Sequence, residues 1–373
     1  MMSSGRTDRL RILILIKGLG IGGAERLVAE AARYWDRGTF DYRVAYVLPW
    51  KNQLVPDLVN ERITVDCIGG PSGLDLATPI RLRRLLREVD LVHAHLPATG
   101  ILARLLATVP VVYTEHNLAG SYRQPTRTLN RLTFARNRAV TAVSPAVADS
   151  LEGFPGPSPT VVANGVAVSV TADEIAATRS SLGLTTGRPL VVHVGNIRPH
   201  KGHETLIRAA TRLAVSVPDA VIVSAGGEKF PGDLERVRSL AAALGVSDRV
   251  RFLGRIEDAR PLLAAADVVV NPSKVEGLPL VLLEALALAR PVVATAVGGV
   301  PSVVIDGETG RLIQPGDPDA LADAIADVLS HPSRGRAWGV AGAKLVKSEY
   351  GVPRMVKAFE DTYRRLLPDV VIV

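Results

Sequence analysis

Short apolar runs rich in β-branched residues alternate with helical stretches along almost the whole of this chain, and they do so in two series. In the first, strands read at Leu10–Ile16, Arg43–Leu48, Ile63–Ile68, Val89–Ala94, Val109–Thr114, Ala139–Val143 and Thr160–Val162. Helices such as Gly23–Tyr34 and Ser144–Leu151 fall between most of them. Residues 164–188 interrupt the rhythm with Asn-Gly, scattered Thr and Ser, and one short helix. A second series then runs through Leu190–Val194, Ala220–Ser224, Val250–Leu253, Val268–Asn271 and Val292–Thr295. Strand, helix, strand in this order builds parallel α/β units. A chain of 373 residues is too long for one typical core. Two doubly wound, Rossmann-like domains follow, expected at 1–168 and 169–348. The last helices, Ser333–Lys347 and Pro353–Leu367, have no strand after them. Residues 349–373 are therefore expected to return to the first domain. No short-period repeat supports a solenoid.

In open α/β sheets ligands bind beyond the carboxyl ends of the strands. The glycine-rich and polar motifs sit there: Gly18–Gly23, His93–His95, His116–Asn117, Gly195–Gly202, Gly226–Gly227, Gly254–Arg255, Ser273–Pro279 and Gly298–Pro301. Two domains facing across a cleft would bring all of them to one place. Composition agrees with a globular protein, at 47% apolar and 22% charged residues. No apolar run approaches the roughly 20 residues that span a bilayer, so membrane contact is expected to be peripheral. The amino terminus lacks an apolar signal core, since Leu10–Ile16 reads as a strand. A lone cysteine, Cys67, excludes an intrachain disulfide and points to a reducing, cytoplasmic setting. Net charge is +7, and residues 1–170 hold 20 Lys and Arg against 14 Asp and Glu. The first half is thus the part suited to an anionic partner.

Several motifs carry chemistry. Glu276 and Glu284 frame Glu-Gly-Leu-Pro-Leu-Val-Leu-Leu-Glu. The first is expected on a loop at a strand end. The second is expected about two turns into the following helix, on the order of 12 Å away at 1.5 Å per residue. A nucleotide sugar needs acceptors at two such places, its sugar and its ribose hydroxyls. Gly195-Asn196-Ile-Arg198-Pro-His-Lys201-Gly202 follows a strand and opens a helix. Free N–H groups, a helix dipole and a lysine there suit a phosphate. Gly18-Leu-Gly20-Ile-Gly22-Gly23 matches a dinucleotide fingerprint. The acid that a nicotinamide ribose needs is missing after the next strand, where Leu48-Pro-Trp50 stands. His93 and His95 alternate on a strand end, with His95 taken as the cleft-facing one, and His116 ends the strand after that. No ligand set at metal spacing accompanies them. Asp317-Pro-Asp319 has a metal-binding spacing, but it precedes an apolar-periodic stretch with Pro318 at the first helical position and reads as a helix cap. Arginines cluster at Arg81, Arg83, Arg84 and Arg87, and again in Ser121–Arg138, which contains no acid. The second stretch, with Arg123, Arg127 and Arg131 beside Leu129 and Leu132, suits anionic lipid headgroups, an acidic acceptor, or simply solvent. Nucleic acid is not expected, for want of a motif and of aromatics.

Taken in order, a glycine-rich strand end, Lys-Gly, the glutamate pair and Gly298-Gly-Val-Pro301 resemble the retaining glycosyltransferases of family 4, which have the GT-B fold. The resemblance runs from Gly22-Gly23-Ala-Glu-Arg to Asp317. It implies a UDP- or GDP-linked sugar as donor and a glycan, lipid-linked or small-molecule acceptor. It implies no cofactor and no metal. By resemblance, Glu284 holds the ribose, and Gly254, Arg255 and Ile256 meet the base. Lys201, Asn196, Arg198, Gly22 and Gly23 meet the diphosphate. Glu276, Gly277, Leu278 and Pro279 orient the sugar, and His116 approaches it. His95, Arg123, Arg127 and Arg131 are left for the acceptor or the inner face of the plasma membrane. Family members usually carry arginine directly after Gly195. This chain has Asn196 there, with Arg198 as the available guanidinium. A nucleotide-sugar epimerase or a non-catalytic sugar-nucleotide-binding protein would share much of this pattern.

Overall fold

The computed structural model describes Arg9–Leu184, Gly187–Glu228 and Phe230–Pro368. The amino-terminal stretch read as lacking a signal core falls almost wholly outside these residues. The chain divides into two compact units, one of Met1–Gly165 with Val352–Val373 and one of Val166–Gly351. The boundaries expected from sequence were 168/169 and 348/349. Where the chain leaves the first unit and later returns, Val166 N–H donates to Tyr350 O at 2.8 Å.

The first unit is built on a parallel seven-stranded sheet. Its strands are β1 Leu10–Ile16, β2 Phe40–Tyr46, β3 Thr64–Cys67, β4 Leu91–His95, β5 Val111–Glu115, β6 Ala139–Ala142 and β7 Thr160–Val161, in the order β3-β2-β1-β4-β5-β6-β7. Leu10–Ile16 is apolar at nearly every position because both faces of β1 are covered. Leu13, Leu15, Ala45, Leu82, Leu85 and Phe134 meet in one core on one side of the sheet. The strand order reverses between β1 and β4, which places the glycine loop after β1 at the switch point. Helix Val352–Leu366 belongs to this unit. Its Glu360 accepts from Tyr42 Oη and from the Asp36 N–H, each at 2.8 Å.

The second unit carries a parallel six-stranded sheet of β8 Leu190–Val194, β9 Val221–Ala225, β10 Val250–Gly254, β11 Val268–Asn271, β12 Val292–Thr295 and β13 Gly310–Ile313. The order is β10-β9-β8-β11-β12-β13, so the switch point lies between β8 and β11. β13 was not anticipated. It is a four-residue edge strand containing Gly310 and Arg311, without the β-branched run that marks the others. Helix Leu280–Ala287 begins later than expected. Glu284 is thus its fifth residue and lies about one turn in, rather than two. No described helix is long and apolar enough to cross a membrane.

Asp317 caps helix Pro318–Ser330, accepting from the Ala320 N–H at 2.9 Å. The cap satisfies an N–H that would otherwise lack a helical partner. Asp317→Ala is therefore expected to lower stability by about 1 kcal/mol in urea unfolding. Magnesium should leave that stability unchanged in the parent chain.

Candidate active site

The second unit concentrates its chemistry where β8 and β11 end. Gly195–Gly202 is anchored on β9 and its loop: Gly195 N–H donates to Ala225 O at 2.8 Å and Ile197 N–H to Gly227 O at 2.9 Å. Two glycines are demanded here. A Cβ on Gly226 would lie 2.0 Å from Gly195 O, and one on Gly202, whose φ is +74°, would lie 2.0 Å from Pro272 O. The loop thereby delivers Lys201 just before helix His203–Ser216. Lys201 Nζ donates to Glu276 Oε1 at 2.7 Å. Glu276 is only 7% exposed, and Asn271 Nδ2 approaches the same oxygen at 3.5 Å. Asn196 is exposed, whereas Arg198 is half-buried and its Nε has no hydrogen-bond partner among the described residues. His200 O accepts from the Lys274 N–H at 2.7 Å, tying the Gly195–Gly202 loop to the loop that carries Glu276.

The Glu276 loop is braced from behind. Thr295 Oγ1 donates to Ser273 O, and Gly299 N–H donates to Gly277 O at 2.8 Å. Gly298 has φ +51°, and a Cβ there would fall 1.8 Å from Glu276 O. The Gly-Gly-Val-Pro stretch thus serves as a wall for the glutamate loop. Leu278 is buried, Pro279 precedes the helix, and Glu284 is buried on it. Gly254 ends β10 at φ +71° and accepts from the Gly226 N–H at 2.7 Å. Arg255 beyond it is exposed and Ile256 half-buried. His193 and His203 pack edge to face at 4.6 Å beneath the loop. Burial pushes His203 down to about 4. The two histidines were not singled out from sequence, because a buried strand position and a helix start carry no motif of their own.

In the first unit, β4 ends on His95, and His116 follows directly after β5. His93 and His95 were expected to face opposite ways, but residues two apart in a strand share a face. Their rings lie 4.3 Å apart, tilted by 31°. His93 bonds Tyr363 Oη and Thr114 Oγ1, each at 2.6 Å. His95 Nδ1 lies 3.0 Å from His116 Nε2. At 3% exposure and turned onto His116, His95 does not present to a membrane surface. Burial pushes His116 down to about 4 and His93 to about 3, so these imidazoles are neutral at pH 7. Glu115, just before His116, is also buried and is pushed up by desolvation. It accepts from Tyr113 Oη at 2.7 Å and from the His116 N–H at 3.0 Å, and Tyr122 Oη donates to it as well. Glu115 lies inside the motif that contains His116, so its position was visible while its bracing role was not. Leu96 follows His95 at φ +73°, a region costly for a side chain with a Cβ. Gly22 caps helix Gly23–Ala31, and a Cβ there would meet Glu25 Oε2 at 2.4 Å. Among the described residues no group of three or more His, Cys, Asp or Glu is placed to hold a metal ion.

Residues 174–345 match the family model for glycosyl transferases group 1, and residues 21–170 match the one for glycosyltransferase family 4. The alpha-maltose-1-phosphate synthase of Mycolicibacterium smegmatis is 34% identical over 325 residues, covering 78% of this chain and 83% of that protein. The chain belongs to glycosyltransferase family 4. A second relative of this family 4 chain, from the same organism, is a GDP-mannose-dependent alpha-(1-6)-phosphatidylinositol monomannoside mannosyltransferase. It is 33% identical over 80% of this chain and 83% of its own length. Among solved structures, Anabaena HepE in complex with UDP-glucose superposes with a TM-score of 0.86. The two are 24% identical over 96% of this chain and 100% of HepE. The fold is therefore GT-B, and the protein is a nucleotide-sugar-dependent glycosyltransferase.

Two outcomes follow from these sites. Gly298→Ala is expected to cost about 2–4 kcal/mol, since it adds a clash to a left-handed backbone; urea unfolding reads it. The second concerns pH. Unfolded imidazoles take up protons near pH 6.5, whereas folded His116 does so only near pH 4. Stability should be full above about pH 6.5 and fall as pH drops toward 4, by roughly 3 kcal/mol from His116 alone. His116→Asn should flatten that part of the curve of melting temperature against pH.

Proposed function

We propose that the second unit binds the nucleotide-sugar donor and that the first unit binds the acceptor, with transfer proceeding with retention. The observation that carries this reading is the buried Glu276 carboxylate held by Lys201 at 2.7 Å. The pair stands where two loops meet beside the start of helix His203–Ser216. An arriving diphosphate brings negative charge to Lys201 and to the helix start. It would compete with Glu276 for the ammonium and so release the carboxylate to accept from sugar hydroxyls. Arg198, whose Nε lacks a partner among the described residues, and Asn196 would join Lys201 on the phosphates. Gly277, Leu278 and Pro279 would line the sugar, Glu284 the ribose, and Gly254, Arg255 and Ile256 the base. In the first unit we assign Gly22 and Gly23 to phosphate and His116 to the sugar.

In this reading the reaction is driven by stabilising charge on the leaving diphosphate. Lys201, Arg198 and the helix start supply that stabilisation without a metal. A neutral His116 would hydrogen-bond a hydroxyl without adding charge. Transfer would go to a lipid-linked, glycan or small acceptor, with Arg123, Arg127 and Arg131 on the acceptor or membrane side. A lipid-linked acceptor would set the reaction at the cytoplasmic face of a membrane. The donor is UDP- or GDP-linked.

Calorimetric titration with UDP, GDP and the free nucleosides tests the assignment. Lys201→Ala should weaken nucleoside diphosphate binding far more than nucleoside binding. Glu284→Ala should weaken both by roughly 10- to 100-fold, the loss of a charged hydrogen bond of about 1.5–3 kcal/mol. Glu276→Ala should lower turnover more than donor affinity. Equal losses for nucleoside and diphosphate in Lys201→Ala would make that lysine purely structural and sink the phosphate assignment.

A further inference from the structure

The two arginine clusters are distant in sequence but lie in one layer of the fold. Helices Thr78–Leu86, Pro97–Leu106 and Thr126–Thr133 each connect successive strands of the first sheet by crossovers of one hand. The first packs on the second and the second on the third. Leu82, Leu85 and Ala103 point inward to one core, joined by Phe134 just past the third helix. Their outer sides therefore form one face.

That face is unusual in charge. None of the three helices contains an acidic residue. Arg83, Arg84, Arg87, Arg123 and Arg127 are exposed, and none has an ion pair among the described residues. Arg131 is also exposed but partly tethered, donating to Gly153 O at 2.9 Å and lying over Phe154. Arg104, on the middle helix, is no part of the surface. It is buried over Tyr113 and donates to Asn130 Oδ1 at 2.6 Å, which locks the second helix to the third.

The face is also unusual in its apolar groups. Leu76 is 97% exposed just before the first helix, Ile80 is 70% exposed on it, and Leu132 is 73% exposed on the third. Leu105 and Leu129 are exposed nearby. Arginines without counter-charges would suit any polyanion. Large aliphatic side chains set among them gain nothing from a polyanion in water. They gain from the boundary between headgroups and acyl chains, where apolar groups enter and guanidiniums bind phosphate. We infer that the outer face of this three-helix layer docks on a membrane surface containing anionic lipids. This goes beyond the Ser121–Arg138 stretch, because it makes helix Thr78–Leu86 and Leu76 equal partners in the contact. It is independent of the donor assignments in the second unit.

Co-sedimentation of the full chain with vesicles of phosphatidylglycerol and phosphatidylcholine, against phosphatidylcholine alone, tests it. Wild type should bind only the anionic vesicles, and less as salt rises. Arg83→Ala, Arg84→Ala and Arg87→Ala together should weaken that binding on the order of 100-fold, at about fivefold per arginine. The same variant should keep wild-type affinity for UDP or GDP, which shows that it is folded. Leu76→Ser with Leu132→Ser should weaken vesicle binding severalfold while leaving heparin binding unchanged. The inference is overturned if wild type ignores anionic vesicles at low salt, or if the triple arginine variant binds them as wild type does. It is overturned equally if the leucine variant loses nothing, since the face is then a general polyanion surface that nucleic acid would fit as well.

Discussion

The second unit of this protein depends on one ion pair. Glu276 is almost completely buried, and an ionised carboxylate in that position is costly unless a cation reaches it. Lys201 does so from a loop 75 residues earlier. Removing Lys201 from such a pair would cost about 3–5 kcal/mol, because the buried carboxylate is left without its cation. The pair therefore fixes the two loops against each other. The glycines around it follow from this closeness. Gly202 and Gly298 let backbones approach at distances where any Cβ would strike a carbonyl oxygen.

The first unit solves the opposite problem, keeping charge out. His93, His95 and His116 pack ring against ring, His95 bonds His116, and burial drives each toward its neutral form. Phe359 packs edge-on to His93 at 4.8 Å and Tyr363 bonds its Nδ1, both from the helix that returns after the second unit. The chain thus finishes by closing the site that its first half began. Glu115 is the nearest carboxylate on this strand, and its bonds to Tyr113, Tyr122 and the His116 N–H occupy both of its oxygens. It braces the histidine loop.

Much of this was legible in the residues. The strands are buried on both faces, so their apolar runs stand out, and Leu10–Ile16, Leu190–Val194, Val268–Asn271 and Val292–Thr295 form as read. Parallel order then puts the turns that carry Lys201 and Glu276 beyond the carboxyl ends of β8 and β11. Asp317 was read as a cap from local chemistry alone, since its partner lies three residues away.

What tertiary structure decided is whatever depends on distance across the fold. No local signal shows that Lys201 meets Glu276, that Gly298 lies against the Glu276 backbone, or that Tyr363 reaches His93. The short edge strand Gly310–Ile313 escaped notice because pairing with β12, rather than its own composition, makes it a strand. The two arginine clusters read as separate stretches, and only the sheet's crossovers make them one face. Sequence determined the periodicities, the caps and the positions of the motifs, because those are set by neighbours along the chain. The fold determined which motifs touch and which side chains lose water, because burial is settled by everything packed around a residue.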